Sequence, residues 1–406
     1  TGPIGAVTAS RWASLRGSRI GVTSIAVAGG RRLAEGLRSI LLGMLRVSSV
    51  LACVLLASCS LFAPLQRMPP PAPPATNEES APVSSAPAAV AVDPRAYAYV
   101  VLSVADMDLA LALWVQRFGM QVVVRRVGTD PQLARLWGVA PDAIIDQALL
   151  LTPGMAQGGV HLVRFKLPGA AIRENAAPTD LVLKSIDIAA RDIFARHAEL
   201  EAAGYQFRSK IGRFETDGVV VHEVHLPGPD AVNLVFLEQE GKPEPTSPKG
   251  YGVAPQIVAT SPDNKREKAF FERVLAMNEA SYHRFSGPEV ERTIGLPPGG
   301  ALDVRIFGAP DYDYGRLEIV QYEGVKSNDL YPTIKAPARG LLSVTFFVPD
   351  VAAVLARAAQ LQTEAGADAM RAAPVDHGVV DTIFGKQHMA TLTSPAGLRV
   401  DLVERR

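Results

Sequence analysis

The chain has 406 residues, 48% of them hydrophobic and 20% charged, which is enough for one large or two ordinary domains with a sizeable buried core. Lys and Arg total 41, as do Asp and Glu; this balance supplies no global field, and no basic stripe interleaved with aromatics occurs, so nucleic acid is excluded as a partner. The two cysteines, Cys53 and Cys59, lie close together near the N-terminus, which rules out a disulfide framework, a thiolate metal site and a cysteine nucleophile downstream.

Met44 to Cys59 reads MLRVSSVLACVLLASC: a basic residue, Arg46, then an apolar run of signal-peptide length, then small residues before the cysteine. Val47 to Phe62 is short for a bilayer core of ~30 Å, and extending it back to Ile40 buries Arg46. Leu56-Ala57-Ser58-Cys59 resembles the lipobox of bacterial lipoproteins. That resemblance implies a signal peptide over 44–58, cleavage before Cys59 and a lipid anchor on Cys59. Ser60, a non-aspartate, implies the outer membrane, facing the periplasm, as the location. Residues 1–43 open with Thr1 and carry a single acidic residue, Glu35; they read either as a leader or as an untranslated stretch upstream of a start at Met44. Residues 59–94 are rich in Pro, Ala and Ser and cannot bury enough apolar surface to order themselves, so a disordered, lipid-anchored tether is expected.

Past the tether one order of elements recurs four times. The first copy has a strand over Tyr99 to Val104, a cap at Asp106, a helix with apolar Leu109, Leu113 and Val115 to Phe118, and Gly119. In the second, LVLKSIDIAA leads into a helix from about Ala190 that ends at Gly204. The third pairs Asp263 with Asn278, and the fourth pairs Asp350 with Gly366. An Asp before a helix satisfies its first N–H groups, and Gly or Asn after it accepts the left-handed turn that ends it. About three strand-like stretches follow each helix, the last being Val160 to Leu167, Val232 to Glu238, Arg316 to Glu323 and Leu398 to Glu404. Each copy is a βαβββ module and the fold class is α+β.

Strand, Asp, helix and then Phe118-Gly119-Met120, repeated as modules over nearly all of residues 97–404, resembles the vicinal oxygen chelate superfamily: glyoxalase I, bleomycin-resistance proteins and extradiol dioxygenases. The resemblance implies that modules pair and that their eight strands curl into a cup. Four modules then make two cup-shaped domains, 95–241 and 253–406, with the Pro/Gly/Lys-rich stretch 242–252 as linker. It also implies a divalent metal held by first-strand and last-strand residues. In the first domain those places hold Tyr99, Ser185, Leu162 and Val235, which are not metal ligands; an apolar or aromatic ligand is the alternative. In the second they hold Gln256, Ser343, Glu318 and Asp401, while Ile257, Leu317, Ile319, Val344, Val400 and Leu402 alternate with them toward the helices. Gln256, Glu318 and Asp401 are the candidate metal ligands, oxygen donors suited to a hard or borderline ion. No His stands at any of these places, which departs from the dioxygenase pattern.

Tyr99, Ser343, Lys386 and His388 are the candidate ligand-binding residues, the last two entering the penultimate strand of module four. His222 and His225 are three apart in a strand and face opposite sides; Glu223 and His225 share a face as a surface couple. His161 is expected on the helix side of its strand, and His283 and His377 in loops. Three functions are open: a lipoprotein cup binding a small molecule without the usual metal; a metal-dependent lyase or isomerase of glyoxalase type in the second domain, with Glu318 as ligand and base; and an envelope protein-interaction module. A periplasmic location disfavours a glutathione-dependent substrate. The sequence names no cofactor beyond the divalent metal, leaves open whether the protein is an enzyme, and is silent on oligomeric state.

Overall fold

The computed structural model describes residues 92–216, 218–309 and 312–405. The leader, signal peptide and Cys59 anchor lie outside the described residues, as does the tether up to residue 91. No helix among the described residues is long and apolar enough to cross a membrane.

The four βαβββ modules are present. Module one holds β1 (Tyr99–Val104), α1 (Met107–Leu111, running into a π-helical turn Ala112–Arg117), β2 (Gln121–Val127), α2 (Pro131–Leu136), β3 (Ile144–Leu151) and β4 (Gly159–Phe165). Module two holds β5 (Leu183–Ala190), α3 (Ile193–Ala202), β6 (Gly212–Thr216), β7 (Val219–Pro227) and β8 (Asn233–Gln239). Module three holds β9 (Tyr251–Thr260), α4 (Asn264–Arg273), β10 (Asn278–Ser286), α5 (Pro288–Ile294), β11 (Ala301–Gly308) and β12 (Arg316–Glu323). Module four holds β13 (Gly340–Val348), α6 (Val351–Ala365), β14 (Ala372–Thr382), β15 (Gly385–Thr393) and β16 (Arg399–Glu404). The expected caps act as such: Asp106, Asp263 and Asp350 each accept from backbone N–H groups of the first turn. Three details differ. Leu109 is 49% exposed, and Met107, Ala110, Leu113 and Trp114 are buried in its place. The second helix starts at Ile193, capped by a left-handed Asp192. The left-handed residue after α4 is Ala276, while Asn278 opens β10.

Two eight-stranded sheets result, and their pairing corrects the one expected from chain order. One sheet runs β14-β15-β16-β13-β1-β4-β3-β2, the other β10-β11-β12-β9-β5-β8-β7-β6. Module one therefore pairs with module four, and module two with module three. Each seam is antiparallel and joins first strands: β1 to β13, with Tyr99 opposite Thr345, and β5 to β9, with Ile186 opposite Ile257. The physical reason is that a seam consists of backbone hydrogen bonds, which do not distinguish one first strand from another. The connectors decide instead. The stretch expected as a domain linker, 242–252, joins two modules of one sheet and ends inside β9. The crossings between sheets are 166–182 and 324–339, and these are laced together: Asp180 Oδ1 accepts from the backbone N and side-chain Nδ2 of Asn328 at 2.8 and 2.9 Å, and Leu181 and Arg339 bond across as well.

The helix-facing sides of both sheets share one core, which contains Val100, Leu162, Ile257, Leu317, Ile319, Val344, Val400 and Leu402. The opposite faces form separate clusters, so the two cups open away from each other. Phe118 packs against Tyr251 at 4.9 Å and Phe236 at 5.9 Å, tying module one to modules two and three. Arg357 Nε donates to the Val274 carbonyl at 2.8 Å, tying α6 to α4. Buried Glu267 of α4 accepts from Ala396 N at 2.6 Å and Ser394 Oγ at 3.2 Å in the β15–β16 turn. Where the sheets meet, backbone touches backbone. Gly315 has φ +77°, and a Cβ there would lie 2.6 Å from the Tyr97 carbonyl oxygen. Gly315→Ala is expected to cost about 3 kcal/mol, left-handed strain plus overpacking. Chemical denaturation would measure it, and an unchanged midpoint would show that this contact does not hold the sheets together.

Candidate functional site

Within the concave face of the second sheet lies a cavity of about 360 Å³. Its floor is laid by strand positions that alternate with core residues, except at the register shift in β5 where Lys184 and Ser185 both line it. From β5 come Lys184, Ser185 and Asp187; from β7, Glu223 and His225; from β9, Gln256; from β12, Glu318 and Tyr322. The short helix α5 roofs it with Val290 and Ile294, and Phe214, Phe285, Leu302 and Val304 complete an apolar upper half. Glycines in the left-handed region bound α5, Gly287 at φ +106° and Gly295 at φ +85°.

The polar floor is organised around one amide. Gln256 Nε2 donates to Asp187 Oδ2 at 2.8 Å and to Glu318 Oε2 at 2.5 Å. In this orientation the NH₂ group bridges the two acids, each of which supplies an acceptor oxygen. Burial raises the Asp187 pKa well above the carboxylate range, with Glu318, Glu223 and Glu244 adding repulsion and the Gln256 hydrogen bond opposing it. Burial raises Glu318 to about 8, helped by Glu223 and opposed by Lys184. Lys184 Nζ contacts the Tyr322 hydroxyl and lies 4.9 Å from its ring centroid. Burial lowers its pKa to about 7, with Arg173 and Arg208 adding to the effect. His225 Nε2 lies 2.7 Å from Glu223 Oε1, and Asn233 Nδ2 lies 3.3 Å from its Nδ1; burial holds its pKa down. Paired groups with opposed shifts in one cup make it the candidate functional site.

Several sequence-based expectations change here. The candidate metal set is divided: Gln256 and Glu318 share the second sheet, whereas Asp401 lies in the first. There Asp401 is saturated, accepting from Ser343 Oγ at 2.8 Å, Thr391 Oγ1 at 2.8 Å and Arg399 Nε at 2.9 Å. The carboxylate that does meet Glu318 is Asp187. It shares a face with Ser185, the place weighed in the sequence, and a charged residue in an otherwise buried strand was the available signal. The three residues Asp187, Gln256 and Glu318 do not fit a divalent ion as arranged, because the amide presents its donor, and not its oxygen, to the space between the acids. Among the described residues no group of three or more His, Cys, Asp or Glu side chains is placed to hold a metal.

The ligand-binding candidates Tyr99, Ser343, Lys386 and His388 all fall in the first sheet, away from the cavity. Tyr99 is buried in that cup against Phe347 and Phe384, at 5.9 and 6.0 Å. Burial pushes its hydroxyl up to about 12. Ser343 serves Asp401. Lys386 is exposed, and His388 pairs with Asp376 at 2.7 Å and Glu404 at 3.5 Å. His161 is on the cup side, not the helix side: Val160 and Leu162 enter the shared core, and His161 Nε2 meets Gln147 Oε1 at 3.0 Å. Burial drops its pKa to about 3, so it is neutral. The offset places His161, not Leu162, inside the first cup, which Tyr99, Phe347, Phe384 and Trp137 fill. Glu223 and His225 form the expected couple, but it is buried and lines the cavity. His222 faces outward to Glu240 at 2.9 Å. His283 and His377 sit in strands β10 and β14, and His283 lines the cavity.

Rising pH works against the folded floor. The ordinary Glu value is 4.5 and Glu318 titrates near 8 when folded, so between those values the folded state holds the extra proton and stability falls as pH rises. Glu318→Gln keeps the acceptor for Gln256 and removes the titration. Its stability relative to the parent chain should therefore climb from pH 4.5 to 8, by on the order of a few kcal/mol. Melting curves across that window would decide it; a constant difference would mean that Glu318 ionises normally.

No protein-family model matches the chain, and no curated protein sequence matches it. Similarity appears among solved structures. Glyoxalase I from Zea mays aligns over 76% of this chain and 92% of its own, with a TM-score of 0.52 and 17% identity. A mutant of the same enzyme gives a TM-score of 0.51 at 17% identity, over 76% and 92% of the two chains. At that identity the likeness concerns the fold. Four βαβββ modules, two curled sheets and this alignment give the chain the vicinal oxygen chelate fold, as two cup-shaped domains.

Proposed function

We propose that this is a lipid-anchored protein of the cell envelope that binds a small molecule, without metal, in the cup of modules two and three. The observation that carries the reading is the roofed cavity of about 360 Å³, whose apolar upper half faces a floor of buried, hydrogen-bonded acids. That size and that mixture of walls are typical of small-molecule sites. The amide bridge of Gln256 supports binding without a metal. The lyase or isomerase reading called on Gln256, Glu318 and Asp401 together, and their division between sheets removes its support.

The cup of modules one and four has a different task. Its interior is filled by its own aromatic residues, and its edge strand β2 exposes Val123 at 48% and Val127 at 73%. These features support a scaffold or protein-docking role for that half, with the ligand held by the other. The lipobox at Leu56 to Cys59 supports anchorage through Cys59, with the outer membrane, facing the periplasm, as the location.

A thermal-shift screen of small molecules against the full chain tests the binding reading. Val304→Trp, which points a large ring into the cavity, should abolish every stabilising hit while leaving the unliganded melt within a few degrees. Hits that survive this substitution would place the ligand elsewhere. Anchorage has its own test: Cys59→Ala should move the chain from the membrane fraction to the soluble fraction and end incorporation of labelled fatty acid. Unchanged fractionation would remove the lipoprotein reading.

A further inference from the structure

The cavity is polarised along its strands, and one end is left with unused acceptors. At one end Lys184 is occupied with Tyr322, and Arg173 and Arg208 act on the same lysine. At the other end stands Asp187, 2% exposed, with Oδ2 bonded to Gln256 and Oδ1 buried without a partner. Glu244, in the connector between β8 and β9, also lines the cavity, and its Oε2 is likewise buried and without a hydrogen-bond partner. Arg316 lines this end too: its Nη2 is held by Asp313 at 2.5 Å, while its Nε is buried without a partner and does not reach either acid oxygen by a hydrogen bond. A buried acid oxygen with no donor is costly, and two of them lining one cavity leave acceptors that no donor of the protein meets.

The chemistry of the donor can be narrowed. A guanidinium prefers both oxygens of one carboxylate, as a fork, and the second oxygen of Asp187 is already taken by Gln256. A divalent ion would want the amide oxygen of Gln256, and the bridge turns the amide nitrogen inward. An ammonium group offers several N–H donors from one compact centre, which suits single oxygens arriving from separate elements. The remainder of the cavity is apolar, walled by Phe214, Phe285, Val290 and Ile294.

We propose that the cavity takes a primary amine with an apolar body, its ammonium seated on Asp187 Oδ1 and Glu244 Oε2 and its body beneath α5. This rests on the reading of the cup as a small-molecule site and names the ligand class. Calorimetric titration of the full chain with phenylpropylamine, phenylpropanol and phenylpropionate tests it. The amine should bind about tenfold or more tightly than the alcohol, as expected for a hydrogen bond to a buried charge, and the acid should give no heat. Asp187→Asn and Glu244→Gln should each weaken the amine about tenfold and weaken the alcohol, whose neutral hydroxyl still finds an acceptor, by much less. Glu244 lies in a connector, so its variant remains informative should the strand substitution fail to fold. Equal binding of amine and alcohol, or an amine affinity indifferent to both variants, would overturn the amine assignment while leaving the pocket. Binding of none of the three would remove the amine assignment and count against the pocket itself. Manganese binding that both variants abolish would put a metal ion at those oxygens and overturn it as well.

Discussion

The structure depends on two antiparallel seams of backbone hydrogen bonds, β1 against β13 and β5 against β9. Each seam turns a pair of four-stranded modules into one curled sheet, and without it a module has neither a continuous cup floor nor a complete core. The helix-facing sides of the two sheets then meet in one apolar core, so the seams also set the spacing of the two cups. Strand pairing joins modules one with four and two with three. Helix contacts join one with two, through Arg117 and Glu199, and three with four, through Arg273 and Glu364. Every module is thus held to two others by different kinds of bond.

The two cups show how one architecture diverges in its interior. Both have a short helix between the second and third strands of one module, α2 in module one and α5 in module three. In the first cup the region beneath α2 is packed with aromatic side chains, and its polar groups answer one another: Arg126 to Asp130, Asp130 to Gln147, Gln147 to His161. In the second cup, α5 covers open volume, and the polar groups beneath it are only partly answered. The amide of Gln256 satisfies one oxygen from each of two acids and leaves Asp187 Oδ1 without a partner. Filled core and open volume are divided between the two halves of the molecule.

Much of this was legible in the residues. Asp106, Asp263 and Asp350 announced their helices, and the strand Arg316 to Glu323 was placed to the residue, because caps and alternation are local signals. The apolar partners of Gln256 and Glu318 faced the core as alternation required. What the sequence did not carry was partner choice between modules, since a backbone seam reads no side chain and the connector 242–252 looks like a linker whichever sheet it serves. The loss of Asp401 from the site follows from that single ambiguity. Asp187 and His161 were missed for a smaller reason. Register within a strand was judged to within one or two residues, and one residue is the difference between the helix face and the cup. At His161 the expected strand began one residue late.

The nested order of the modules has a kinetic consequence. The inner pair is complete once the chain reaches Glu323, but β1 has no seam partner until β13 follows. During synthesis the first module must therefore wait with an open strand edge, the kind of surface on which chains stick to one another. Its eventual partner belongs to the most distant module of the chain, and such non-local pairing is slow to find. The inner cup can assemble early and act as a spacer that brings the two connectors, 166–182 and 324–339, side by side. The half that carries the cavity would then template the half that frames it, and damage to the inner core would appear as misassembly of the outer sheet.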